Sequence, residues 1–170
     1  MLNDIENRMN DLALARTLHV LAVVLWIGGV AFVTLALLPG LRDLRASGRG
    51  DEAPGIFEAL ERRFAAQARY TTQITGLSGL YMVWRLDLWS RFAEPAYWWM
   101  DAMVLLYLLF TMLLFVVEPL AHRRVASHAA RDPAGTQRRI LWMHRVLLAA
   151  SLATIAGAVA GSHGWLVGLG

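Results

Sequence analysis

Cysteine is absent from the chain. That excludes disulfides, thiolate-held zinc, thiolate-held iron–sulfur clusters and covalently attached haem. A metal would have to be held by His, Met, Asp or Glu. Lysine is absent too, and all sixteen basic residues are arginine. Charge of either sign is scarce: Asp, Glu, Lys and Arg make up 17% of the 170 residues, against ~25% in a soluble domain. Hydrophobic types reach 57%, and mean hydropathy is +0.45. An ordinary soluble domain, a disordered chain and a fibrous repeat are thereby excluded. Internal repeats and low-complexity tracts are missing as well. The sequence pI near 9.9 suggests nucleic acid only until the arginines are placed.

Charge-free stretches locate the spans. Thr17–Leu41 and Val146–Gly170 hold no charged residue, and Pro95–Val117 holds only Asp101. Tyr70–Trp84 holds none, and Phe64–Ala68 extends it past Arg69. A helix needs about 20 residues to cross ~30 Å of hydrocarbon. The chain therefore reads as one all-α transmembrane domain of four helices, near 13–39, 62–86, 96–121 and 138–165. A short interfacial helix is expected near 54–62, with Ile56, Phe57 and Leu60 opposite Glu58, Glu61 and Arg62. Asp4, Glu6 and Asp11 against Arg8 give the first span the wrong leading charge for a cleaved signal.

The arginines set the orientation. Arg42, Arg45, Arg49, Arg62 and Arg63 precede the second span; Arg123, Arg124, Arg131, Arg138, Arg139 and Arg145 precede or open the fourth. Only Arg8, Arg16, Arg85 and Arg91 lie on the other side. The positive-inside rule then predicts an up-down-up-down four-helix bundle in a bacterial inner membrane, with both termini outside. Topology accounts for these arginines without nucleic acid. Trp84, Trp89, Trp98, Trp99 and Trp165 fall near the outer boundary, as an interfacial belt does.

Ionisable groups inside spans are costly and mark function. His19 lies near the outer end of the first span and His163 near the outer end of the fourth. Asp101, Met100 and Met103 open the third, and Met82 closes the second. All belong to one outer layer. His144 is nineteen residues from His163, or ~28 Å along a helix, and so belongs to the inner face with His122; His128 falls in the inner loop. Two imidazoles at one depth are suited to clamping haem b, with Trp26 and Gly29 shaping the pocket and Arg16 or Arg85 meeting the propionates. Copper on His19, His163, Met100, Met103 and Asp101 is the alternative. The stripe Gly157-Ala-Val-Ala-Gly161 more simply packs a neighbouring helix. Arg69 with Glu118 reads as a structural ion pair, and Thr71, Thr72, Gln73 and Thr75 as a polar flank for interhelical hydrogen bonds.

The stretch Leu18-His-Val-Leu-Ala-Val-Val-Leu-Trp-Ile-Gly-Gly29 resembles helix one of the copper resistance protein D family and of the HemJ-type protoporphyrinogen oxidases. Glu61-Arg-Arg-Phe64 and Thr75-Gly76 are similar to landmarks of the same families. The resemblance implies haem at His19, as in HemJ-type members, or copper handling, as in the other family. HemJ-type proteins carry a lysine near the position of Met103, and Asn-Glu where this chain reads His144-Arg145. Protoporphyrinogen oxidation is therefore not expected. The sequence predicts a haem b electron-transfer protein, exchanging electrons with a quinone or a membrane redox partner. A copper protein or a non-catalytic subunit of a larger complex are the alternatives, and a homo-oligomer stays open.

Overall fold

A computed structural model describes residues 2–48, 53–120 and 132–165. His122 and His128 lie outside them. Among the described residues the chain is entirely helical, with no strand. Helix α1 (Leu2–Phe32) passes through a π-helical turn, Val33–Leu37, into α2 (Leu38–Ala46). Helix α3 spans Ala53–Arg85. Two 3₁₀ turns, Trp89–Ala93 and Pro95–Tyr97, lead into α4 (Trp98–Met112). A second π-helical turn, Leu113–Val117, extends α4. Helix α5 spans Pro133–Ser162.

Three of these helical stretches, Glu6–Ala46, Pro95–Leu120 and Ala134–Ser162, are long and apolar enough to cross a membrane. Helix α3 has the length, but its hydroxyls, glutamines and arginines dilute its hydropathy. The expected interfacial helix near 54–62 is not a separate element. Ala53–Arg85 is one continuous helix, because no residue between Ile56 and Arg69 is a glycine or a proline able to break it. In the two-faced pattern expected there, Phe57, Glu58 and Glu61 lie outside the described side chains.

Both π turns end two residues before a proline, Pro39 in one case and Pro119 in the other. A proline lacks the N–H and clashes with the carbonyl four residues back. That carbonyl belongs to Leu35 or Phe115, inside each π turn. One wider turn absorbs the misfit without a sharp kink. In the first turn the fully buried Thr34 donates its hydroxyl to Val30 O at 2.6 Å.

Contacts between helices fix their neighbours. Arg85 lies 3.7 Å from Asp11, His19 meets Ser78, and Phe64 covers Gly29, so α3 runs back along α1. Tyr107 covers Gly76, and Arg69 meets Glu118 at 3.1 Å, so α4 returns along α3. Trp98 lies on Gly157 and Trp99 on Gly161, where α5 meets α4. The expected helix-packing role of that glycine stripe is what the structure shows. Gln137 donates to Leu38 O at 3.1 Å, joining α5 to α2.

The core follows the first helix. Trp26, Ile27 and Val30 bury against Phe110, Leu147 and Leu148. Below them Val33, Leu37, Leu38 and Leu41 form a second cluster, flanked by Phe64, Ile140 and Leu141. Between helices in lipid the hydrophobic drive is weak, so close contact through small residues carries the association. Gly29, Gly76, Gly157 and Gly161 each lie under an aromatic ring, as such contact requires.

Three helix ends have chemical stops. Asp132 caps α5, accepting from Gly135 N at 2.9 Å, with Pro133 as its first residue. Its far end closes through Gly164 at φ +76°, with Trp165 N donating to Ala160 O. Helix α3 ends the same way on a non-glycine: Asp87 has φ +50°, and Leu88 N donates to Val83 O.

Candidate functional site

His19 lies on the face of α1 that α3 covers. Its half-buried ring places Nδ1 3.0 Å from Thr75 O and 3.2 Å from Ser78 Oγ. Ser78 Oγ itself donates to Ile74 O at 2.6 Å. The carbonyl of Thr75 cannot donate, so Nδ1 carries the proton and gives it to that carbonyl. The lone pair is left on Nε2, which makes no hydrogen bond among the described residues. Gly79 provides the space: a Cβ there would stand 3.1 Å from His19 Cε1. The ring therefore rests on bare backbone, held in one tautomer and one orientation. A metal-ligating histidine has the same second bond, from its other nitrogen to a carbonyl.

The remaining candidate residues do not gather around this ring. His163 is exposed beyond the end of α5, with Nδ1 2.8 Å from Val159 O and 3.3 Å from Ser162 Oγ. Those bonds tie it to its own helix. Asp101 is exposed, Met100 is buried, and Met103 and Met82 are half-buried. Among the described residues no three His, Asp or Glu side chains come together as a metal site. His144 bonds back to Ile140 O at 2.9 Å.

The residues expected to shape a porphyrin slot are otherwise engaged. Trp26 is 4% exposed and meets Phe110 edge to face, with centroids 4.8 Å apart. The space over Gly29 holds the Phe64 ring. Arg85 Nε donates to Tyr81 Oη at 3.1 Å, and the guanidinium lies over the Tyr81 and Trp84 rings. Arg16 is exposed. Of the expected ligands, His19 has its ring fixed from a neighbouring helix with Nε2 unbonded among the described residues, the donor that a haem or metal would take. The side chains present do not fit a porphyrin clamped inside the bundle between α1 and α5.

The polar flank of α3 is spent mostly within that helix. Thr71 donates to Gln67 O, Thr75 to Thr71 O and Ser78 to Ile74 O. Other bonds of this flank cross to neighbouring helices: Gln73 accepts from Tyr107 Oη at 3.4 Å, Gln67 Nε2 donates to Leu25 O at 3.2 Å, and Thr75 O and Ser78 meet His19. Arg69 and Glu118 form the expected ion pair. The partners of His19 are a carbonyl and two small residues, Ser78 and Gly79. The sequence signal for them is the run Thr75-Gly-Leu-Ser-Gly79, small residues at the depth of His19. No family model, curated protein or solved structure matches the chain.

Proposed function

We propose that the chain is a multi-pass protein of the bacterial inner membrane that carries haem b on His19 Nε2. One observation supports this most: His19, inside a membrane-length helix, commits its Nδ1 proton to Thr75 O of a neighbouring helix, which fixes the ring and leaves Nε2 without a hydrogen bond among the described residues, whereas His144 and His163 make their carbonyl bonds within their own helix. The eleven-to-four arginine asymmetry and the alternating helix contacts support an up-down-up-down bundle with both termini outside. Bound there, haem b would supply one-electron exchange with a quinone or a membrane redox partner. Thr75 fixes the tautomer, Gly79 lets the ring lie flush, and Arg16 stands about one helical turn before His19, at the end where propionates would emerge. His163, whose Nδ1 is committed to Val159 O in the same way, is not part of this reading because it is exposed beyond the end of α5 and its bond stays within its own helix.

Copper is the second occupant for the same imidazole. An accessory role gains support from α4 and its extension, whose most apolar stretch is only 11% buried. A single preparation separates the three readings. Protein made with haem and copper supplied is purified and its absorption spectrum and copper content are measured. A Soret band that disappears in His19→Ala supports haem ligation. Copper without a Soret band, or a colourless protein that acquires no band from added haemin, overturns it.

A further inference from the structure

We propose that Thr72, Thr111 and Trp26 together bind one internal water at mid-depth between α1, α3 and α4. Most buried hydroxyls in this protein return to their own helix. Thr34 donates to Val30 O, Thr71 to Gln67 O, Thr75 to Thr71 O, Ser151 to Leu147 O and Thr154 to Ala150 O. Thr72 and Thr111 do not. Thr72 is 0% exposed, and neither its Oγ1 nor that of Thr111 has a protein partner among the described residues. The indole Nε1 of the buried Trp26 is unpartnered in the same way.

Contacts between the helices bring these three groups to one level. On α3, Thr72 falls between Gly76, which meets Tyr107, and Arg69, which meets Glu118. Its level on α4 is therefore near residue 112, beside Thr111. Trp26 reaches that level through its ring contact with Phe110, the neighbour of Thr111. On the α1 side Thr72 lies between Ser78, which meets His19, and Phe64, which covers Gly29. All three groups thus fall within about one helical turn of depth, ~5 Å along the bundle axis. One N–H donor and two hydroxyls make up the two to four polar partners that a buried water needs. Hydrocarbon offers these groups nothing in exchange, so leaving them bare is costly. The site is separate from His19 and does not depend on what that ring carries.

The test is thermal unfolding of purified protein in detergent for Thr72→Val, Thr111→Val and the double variant. Valine keeps the shape of threonine and removes only the hydroxyl. A shared water predicts that each single change lowers the melting temperature by roughly 2–4 °C, and that the double variant loses less than the sum. In a dry site, deleting a bare buried hydroxyl stabilises the protein. A melting temperature that is unchanged or higher in either single variant, or losses that simply add, would overturn the proposal.

Discussion

Gly29→Ala is the sharpest probe of how α1 and α3 are held together. The added methyl would run into the edge of the Phe64 ring, with Phe64 Cδ2 2.9 Å and Cζ 3.3 Å from the new Cβ. Two effects oppose each other. Alanine is the better helix former by about 0.8–1 kcal/mol. Overpacking against a ring wedged between helices costs about 1–3 kcal/mol. Phe64 borders both core clusters, so the ring cannot swing away freely and the clash outweighs the propensity. The expected net loss is up to about 2 kcal/mol, or as much as roughly 4–8 °C in melting temperature for a chain of this size. In a Phe64→Ala background the clash is gone and only the propensity remains. There Gly29→Ala should raise the melting temperature by about 2–4 °C. The assay is thermal unfolding of the four proteins in one detergent, followed by helical circular dichroism. The same sign for Gly29→Ala in both backgrounds would refute the reasoning: it would mean that Phe64 is not what fills the space over Gly29.

Three further outcomes are expected. Gly79→Val drives a side chain into His19 Cε1 and away from the Thr75 bond, so the haem retained per protein should fall several-fold while the helical circular dichroism is kept; full haem retention would separate Gly79 from the site. Glu118→Gln leaves Arg69 without its partner, so it should destabilise more than Arg69→Met with Glu118→Gln together, read as melting temperature; a larger loss in the double variant would contradict pairing as the role of these residues. Asp87→Gly relieves a non-glycine residue at φ +50° and should stabilise by up to about 1 kcal/mol; a lower melting temperature would mean that the Asp87 side chain contributes something the turn geometry does not explain.

Hydropathy and charge made the helices legible. Charge-free runs found the three helical stretches that are long and apolar enough to cross a membrane, and the position of the fourth helix, because lipid excludes charge wherever the helix surface faces it. The glycine stripe 157–161 and the pair Arg69–Glu118 were also readable, since spacing on a helix fixes which residues share a side. The π turns escaped, although Pro39 and Pro119 announce them, because a proline in an apolar run signals misfit without saying how the backbone absorbs it. Helix α5 starts at Pro133, five residues before the expected start near 138, because its Asp-Pro cap lies in a charged stretch ahead of the apolar run.

The surroundings of His19 were only half legible. Depth along a helix is one coordinate, and it put His19, His163 and Asp101 in one layer. Sequence does not give the rotation of each helix or its nearest neighbour. Helix α1 turns His19 to α3, where Thr75 O, Ser78 and Gly79 receive it. Gly29 follows the same logic: its bare face reads as room for a ligand until Phe64 is seen lying on it.

The central claim is that His19 alone in this chain ligates haem. Its most direct test is a haemin titration of wild-type protein, His163→Ala and His19→Ala, followed at the Soret band. Wild type and His163→Ala should saturate with one haem per chain and the same spectrum, while His19→Ala shows no saturable band. Saturable binding that survives in His19→Ala, or is lost in His163→Ala, would contradict it.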